Sequence, residues 1–339
     1  MSSLYPLSVL DLAPIVQGSS PAESFKNTIQ LAQQADAGQF TRYWLAEHHG
    51  MVGIASAATS VLIAHVANHT QRIRVGAGGI MLPNHSPLVI AEQFGTLESL
   101  FPNRIDLGLG RAPGSDQRTA QALRRNLQSD PNEFPHDVLE LLDYLSNAPQ
   151  QPVPAVPGKG TNVPIWILGS SLFGAQLAAM LGLPYAFASH FAPAQMMDAI
   201  AVYRSQFKPS EYLAKPHVML GFNVFAADTD EKAHYLASSW QQSFVSLRQG
   251  RPIQLPPPVA NYIERSADIG QAVMEHALKC AAIGSLDTIT QQTQAFIDKT
   301  GADELMVTCN MFDQQARLES YALLAQAHKQ LRPAPTVNL

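Results

Sequence analysis

The stretch Arg42–His49 (RYWLAEHH) decides the fold prediction. Its first five residues, apolar after Arg42, are typical of a short buried strand, and that strand ends directly in Glu47, His48 and His49. The end of a buried strand holds side chains in place yet leaves them open to solvent, and imidazole titrates near neutral pH. The stretch therefore predicts a strand whose carboxyl end carries residues suited to chemistry.

Three further strand-like runs end in a similar way, in glycines, hydroxyls or an arginine. They are Arg74–Gly79, Ile105–Arg111 and Ile165–Ser171. Because the carboxyl ends of parallel strands lie at one edge of a sheet, these four strand ends predict one shared site.

Short apolar runs alternate with helical segments along the chain. Most are continuously apolar, which is typical of parallel strands covered on both faces. Eight such strands in 339 residues predict an α/β fold, a (β/α)8 TIM barrel in one domain over residues 1–339, with a doubly wound open sheet as the alternative. The predicted strands are Leu7–Asp11, Arg42–Ala46, Ile73–Ala77, Ile105–Leu109, Ile165–Leu168, Tyr185–Ala188, Val218–Phe225 and Glu304–Val307.

Helices are expected between these strands. One is predicted over Ala55–Asn68. Another is predicted over Pro87–Leu100, with Ser86 as its N-cap and a proline at its first position.

Two long segments interrupt the alternation. Ala112–Pro164 holds two helical pieces and a proline-rich loop, and Arg251–Glu275 holds three consecutive prolines and another helical stretch. Long irregular segments of compact domains are often lids or binding loops. Both are predicted to be insertions on the barrel, after strand 4 and between strands 7 and 8.

Composition argues against several functional classes. With 46% hydrophobic residues, 14% charged residues and a formal net charge of -5, the chain suits a large buried core and not a nucleic-acid partner. It shows neither a signal peptide nor an apolar run long enough to span a bilayer, so a cytoplasmic protein without a membrane partner is expected. Cys280 and Cys309 are too few for a disulfide framework.

The glycines at the strand ends have two interpretations: close approach of a flat ligand, or tight turns and close helix packing. Gly108 and Gly110 also suggest a dinucleotide-binding fingerprint. The third glycine, Gly114, comes one residue late, and Pro113 stands where a helix should open. The dinucleotide fingerprint is therefore disfavoured.

The tandem histidines could in principle bind zinc with a third ligand such as His85 or His190. However, the chain has no Cys/His spacing of a known zinc type. No metal is predicted.

An anion site is predicted at two of the strand ends. Arg111 could bind a phosphate or carboxylate, or make a surface salt bridge. Gly169, Ser170 and Ser171 precede a helix, where amides and hydroxyls either bind an anion or simply cap the helix. Together these residues are compatible with a cofactor that has a phosphate tail.

These residues together resemble the bacterial luciferase-like flavin monooxygenase family, in its single-subunit branch of luciferase-like class oxidoreductases. The resemblance runs from Leu7 to about Leu331. It is carried by Ala46–His49, Val75–Pro83 and Phe101–Arg111, and Leu10–Pro14 and Ala188–Pro193 also fit.

The resemblance implies a (β/α)8 barrel that binds reduced FMN, or F420 in a sister branch, at the carboxyl ends of its strands. It places a bulge with a non-proline cis peptide at Gly78–Gly79 beneath the flavin ring. It places Glu47 and His48 near the flavin edge as the catalytic pair, with His48 as acid or base. The cofactor-binding residues it implies are Gly78, Gly79, Gly110, Arg111, Gly169, Ser170 and Ser171.

The chain departs from the family pattern at three positions. Gly169 stands where the family often has an acidic residue, Phe173 replaces a luciferase-type hydroxyl, and Gly110 replaces a reactive cysteine. Light emission is therefore not implied.

The resemblance implies a monooxygenase that oxidises a small organic, apolar substrate with O2. Because the chain shows no convincing NAD(P)H fingerprint, a separate flavin reductase is the expected source of reduced FMN. The alternatives are an F420-dependent hydride-transfer oxidoreductase and a non-catalytic flavin-binding protein. A homodimer is expected by resemblance.

Overall fold

The computed structural model describes residues 4–111, 117–123, 133–147, 152–266 and 268–335. Eight parallel strands pair in the order β1-β2-β3-β4-β5-β6-β7-β9, and β9 pairs with β1 to close a barrel. The predicted (β/α)8 barrel is confirmed, and the open sheet is wrong. The strands are β1 (Leu7–Asp11), β2 (Arg42–Leu45), β3 (Arg74–Met81), β4 (Ile105–Gly110), β5 (Ile165–Gly169), β6 (Tyr185–Phe187), β7 (Val218–Ala226), β8 (Ala281–Gly284) and β9 (Glu304–Thr308).

The short strand β8 was not predicted from the sequence. The lower part of β7 pairs with β6 and β9, and its upper part, from Asn223 to Ala226, pairs with β8. Four small and apolar residues that follow a helix give no periodic signal of their own. Strand β8 therefore lies just after the predicted insertion Arg251–Glu275, and the chain between β7 and β9 carries a strand as well as helices.

Helices cover the outside of the barrel. In order they are α1 (Pro21–Ala37), α2 (Thr59–Asn68), α3 (Pro87–Leu100), α4 (Gln117–Leu123), α5 (Phe134–Leu145), α6 (Leu172–Leu181), α7 (Met196–Gln206), α8 (Asp230–Arg248), α9 (Tyr262–Arg265), α10 (Asp268–Leu278), α11 (Leu286–Thr300) and α12 (Gln314–His328). Ser86 is the N-cap of α3 and Pro87 its first residue, as predicted. Along the described residues, no helix is long and apolar enough to cross a membrane.

The start of α2 differs from the prediction by four residues. The helix begins at Thr59 and not at Ala55. The hydroxyls of Ser56 and Thr59 both donate to the carbonyl of Ala46, the residue after β2. These bonds hold residues 55–58 against the strand end as a loop, and this tertiary contact overrides their helical propensity.

Large side chains fill the inside of the barrel. Trp44 and Trp166 meet edge to face with ring centroids 5.3 Å apart. Leu10, Met219 and Met306 pack in the same cluster. This packed interior makes the barrel a solid support for whatever binds at its carboxyl end.

A layer of buried charges lies at the amino end of the barrel. The guanidinium of Arg42 contacts Asp106 at 2.7 Å and Glu304 at 3.0 Å, and Arg74 contacts Asp106 at 2.7 Å. Both carboxylates are fully buried. Ion pairs therefore occupy the amino end of the barrel and leave its carboxyl end as the open one.

The first insertion packs partly on the outer helices. Its described part holds two helices, α4 and α5, as predicted. Gly158 lies in its proline-rich loop, and a Cβ added at Gly95 of α3 would lie 2.3 Å from the Cα of Gly158. The backbone around Gly158 therefore packs closely against α3. Residues 112–116, 124–132 and 148–151 of this predicted insertion lie outside the described residues.

The second insertion lies at the carboxyl end of the barrel. The amide of Leu255 donates to Ile15 and its carbonyl accepts from Gln17, both at 2.9 Å. A Cβ added at Gly53, in the loop after β2, would lie 2.2 Å from the carbonyl oxygen of Ile253. This insertion therefore forms a wall beside the loops that follow β1 and β2.

Candidate active site

Glu47 is the centre of a buried hydrogen-bond network at the carboxyl end of β2. Its side chain is 1% exposed. Nε2 of His49 and Nε2 of His85 each lie 2.8 Å from Oε1, and the amide of Met81 donates to Oε2 at 3.0 Å. A carboxylate only accepts, so both imidazoles carry a proton on Nε2.

These contacts also set the charge of Glu47. Burial alone raises the pKa of this carboxyl, but the hydrogen bonds from His85, His49 and the Met81 amide outweigh it and lower the pKa below its ordinary value. Glu47 is therefore an anion at neutral pH, and it ties together the loops after β2 and β3.

His48 follows Glu47 and is partly buried at the mouth of the barrel. Its amide donates to the carbonyl of Ser56 at 2.9 Å. Across the mouth, His190 follows β6. His48 lies close enough to His190 for a charge on it to lower the pKa of His190. The mouth thus places two imidazoles near each other on different strands.

The cis peptide implied by the resemblance is present at Gly78–Gly79. The pairing of β3 with β4 shifts register between Ala77 and Ile80, so the implied bulge is present as well. A Cβ added at Gly79 would lie 2.7 Å from the carbonyl oxygen of Gly108. The bulge is therefore packed directly against β4 and leaves no room there for a side chain.

Arg111 lies at the end of β4, with its guanidinium carbon 4.0 Å from the ring centre of Phe173. Phe173 is in the first turn of α6, whose N-cap is Ser171. The side chain of Ser171 makes no capping hydrogen bond, and the first amides of a helix have no partner within it. Cation, hydroxyl and amides therefore gather at one helix start.

The structure brings all nine predicted site residues to the carboxyl end of the barrel. These are Glu47, His48, Gly78, Gly79, Gly110, Arg111, Gly169, Ser170 and Ser171, which end four neighbouring strands, β2 to β5. Their roles toward a cofactor stay predictions. The sequence interpretation named His85 only as a conceivable zinc ligand, although its place shortly after β3, next to β2, could have indicated a partner for Glu47.

The histidines of the mouth do not gather as a metal site among the described residues. Among all the described residues, the one group with three suitable ligand atoms is His136, Asp137 and Glu140, which lie on the outer helix α5. His85 and His49 are instead directed at Glu47.

Known proteins share the sequence and the fold of this chain. A family model described as luciferase-like monooxygenase matches residues 6–304. A luciferase-like monooxygenase of Escherichia coli (strain K12) is 52% identical over 325 residues, which covers 96% of this chain and 97% of the relative. An N-acetyl-S-alkylcysteine monooxygenase of Bacillus subtilis (strain 168) is 33% identical over 259 residues, covering 74% of this chain and 76% of the relative.

A solved structure agrees with these relatives. The crystal structure of apo-MsnO8 matches with a TM-score of 0.86 and 36% identity, and the match covers 97% of this chain and 99% of that chain. The closed barrel, the glycine bulge and the matched length lead to one conclusion: this chain belongs to the luciferase-like monooxygenase family.

Proposed function

We propose that this protein is a monooxygenase that uses reduced FMN, supplied by a separate reductase, and O2 to oxidise a small organic, apolar substrate. The observation that carries the proposal is the pairing, at one end of one barrel, of the Gly78–Gly79 bulge with the cationic helix start at Arg111 and Ser171. A flavin needs a flat support for its ring and an anion site for its phosphate.

The donor set fits the phosphate of FMN. A phosphate dianion favours a guanidinium together with the free amides of a helix start. Arg111 is held over Phe173, and the hydroxyls of Ser170 and Ser171 stand at the start of α6. In this proposal Arg111, Ser170, Ser171 and the amides after them hold the phosphate.

The bulge fits the flavin ring. Gly78 and Gly79 offer no side chains. A Cβ added at Gly78 would lie 2.9 Å from the side chain of Leu10, and one added at Gly79 would lie 3.0 Å from that of Leu168. The bulge therefore rests on the packed barrel interior. Gly110 and Gly169 similarly keep the ends of β4 and β5 free of side chains.

When bound, reduced FMN supplies two electrons to O2, so that one oxygen atom enters the substrate and the other leaves as water. His48, partly buried at the mouth, moves protons at the reacting oxygen. Glu47 keeps the loops on either side of the site in place through His49 and His85. The second insertion excludes water from that side.

The first test is an anaerobic titration with reduced FMN and, separately, with reduced F420, followed by air while absorbance is recorded. Tight binding of reduced FMN and oxygen-dependent oxidation of a probe support the proposal. N-acetyl-S-alkylcysteines are the first probes, because a 33% identical relative is named for them. A preference for F420, or oxidised FMN held without turnover, contradicts it.

The role of His48 is tested by replacing it with alanine. In the proposal, His48→Ala lowers turnover by about 10²- to 10⁴-fold, the usual contribution of a general acid or base, and leaves FMN affinity unchanged. Weakened FMN binding with normal turnover of the loaded enzyme contradicts the role. The homodimer and the cytoplasmic location remain proposals, for which sedimentation and cell fractionation are the tests.

A further inference from the structure

The loop after β6 is fastened to β7 on both sides of His190. The hydroxyl of Ser189 donates to the carbonyl of Gly221 at 2.6 Å, and the side-chain amide of Asn223 donates to the carbonyl of His190 at 3.0 Å. The guanidinium of Arg248 lies 4.2 Å from the ring centre of Phe191. The backbone of His190 is therefore fixed by side chains before it, after it and on the facing strand.

The imidazole of His190 occupies the space that a side chain at position 221 would need. A Cβ added at Gly221 would lie 1.9 Å from Nδ1 of His190 and 2.9 Å from its Cε1 and Cγ. Only glycine at this position lets the ring lie against β7. We refer to Gly221, Ser189 and Asn223 as the His190 seat.

The seat also decides which ring nitrogen carries the proton. Nδ1 is buried and has no hydrogen-bond partner within the described part of the chain. A proton there would be a buried donor without an acceptor, which costs more than an unpaired acceptor. A neutral ring therefore carries its proton on Nε2, and Nε2 is not among the buried, unpartnered atoms.

We propose that His190 is a second functional imidazole, held in its seat as a neutral Nε2–H donor that serves an acceptor oxygen in the barrel mouth beside His48. Burial, and then the charge of His48, lowers the pKa of His190 to about 4, so the ring stays neutral at physiological pH. The titratable and charged groups facing the loop are His48 and Arg248, and a charge on His48 opposes protonation of His190. The acceptor oxygen that His190 would serve belongs to the proposed function, so the donor role rests on that proposal. The seat and the tautomer follow from the contacts of His190 and do not depend on it.

The seat is tested by ¹⁵N-histidine NMR of the full chain, free and loaded with FMN. Nitrogen shifts separate the two neutral tautomers and the imidazolium, and the spectrum of His190→Gln assigns the signal among 11 histidines. A neutral ring protonated on Nε2 from pH 8 to pH 5.5 is expected. A proton on Nδ1, or an imidazolium at pH 7, overturns the proposal whether or not FMN binds.

The donor role is tested by the reaction with air. Without substrate, reduced FMN passes two electrons and two protons to O2, giving oxidised FMN and hydrogen peroxide. A donor that holds the reduced oxygen slows peroxide release, so His190→Leu should release peroxide about tenfold faster. His190→Gln keeps an N–H and should stay near wild type. Equal rates for His190→Leu and wild type, at equal FMN affinity, overturn the donor role.

The contact with Gly221 is tested by a double-mutant cycle. Gly221→Ala should expel the ring, shift the His190 signal and raise peroxide release to the rate of His190→Ala. Adding Gly221→Ala to His190→Ala should change neither the thermal midpoint nor the peroxide rate, because the clash is gone. Additive effects of the two substitutions contradict the seat.

Discussion

Nε2 of His85 and Oε1 of Glu47 lie 2.8 Å apart and join the loops that follow β3 and β2. The same carboxylate accepts from the amide of Met81, two residues beyond the Gly78–Gly79 bulge. A buried acid at the end of one strand therefore positions the backbone of the next, on which the proposed flavin support depends.

Glu47→Gln should destabilise the fold in a way that depends on pH. The substitution leaves His49 and His85 without their carboxylate and should cost about 1–3 kcal/mol at pH 7. Because the pKa of folded Glu47 lies below its unfolded value, its contribution is complete above the ordinary carboxyl pKa and is lost as pH falls through the folded pKa.

Urea unfolding of wild type and Glu47→Gln at a series of pH values tests this. The difference in unfolding free energy should be largest above about pH 5 and should shrink on acidification. A difference that stays constant down to pH 3 would show that the charge of Glu47 is not what stabilises the loops.

Phe173→Leu should weaken FMN binding, although Phe173 itself does not contact the phosphate in our proposal. The ring of Phe173 holds Arg111 at 4.0 Å, and a cation–π contact of this kind contributes about 0.5–2 kcal/mol. Loss of this preorganisation should raise the Kd for FMN by about 2- to 30-fold, given the tenfold change per 1.4 kcal/mol. Fluorescence quenching of FMN measures it.

Phe207→Leu is the matched control for Phe173→Leu. Phe207 is a partly buried ring that packs on Tyr203 at the end of α7, away from the barrel mouth. The Phe207→Leu variant should lose as much stability as Phe173→Leu and keep the FMN affinity of wild type. Equal affinity losses in the two variants would show a general effect of destabilisation and would contradict the role of Phe173.

Gly79→Ala and Gly169→Ala should differ sharply in stability. A Cβ at Gly79 would lie 2.7 Å from a backbone oxygen, whereas the nearest atom to a Cβ at Gly169 would be 3.5 Å away. Gly79→Ala should cost about 1–3 kcal/mol through overpacking, and Gly169→Ala should stay within about 0.5 kcal/mol of wild type. Thermal and urea unfolding separate the two, and a stable Gly79→Ala would refute the close packing of the bulge on β4.

Arg317→Met should be one of the most damaging changes outside the site. Arg317 and Asp11 are both fully buried and joined at 2.8 Å. Removing the cation leaves the buried carboxylate of Asp11 without its ion-pair partner and should cost about 3–5 kcal/mol. The double variant Asp11→Leu with Arg317→Met should be more stable than Arg317→Met alone, because it leaves no unpaired charge. Urea unfolding of both variants tests this, and a double variant that is less stable than the single one would contradict it.

The sequence determined the architecture and the strands that build the site. Continuously apolar runs and their alternation with helices are local properties, and parallel strands need both, so all eight barrel strands could be predicted. The carboxyl ends of β2 to β5 could be placed together for the same reason. Strand β8 and the first residue of α2 could not be predicted, because pairing with β7 and the contacts of Ser56 and Thr59 with Ala46 decide them.

Only the tertiary structure decided how the site residues pair. Glu47 takes its partner His85 from a loop 38 residues away, and His190 takes its seat on Gly221, 31 residues along the chain. Arg111 rests on Phe173, which stands where the family pattern has a hydroxyl. Such pairs depend on distances between separate strands, which barrel closure sets, whereas a sequence encodes the identity of each partner and not the distance between them.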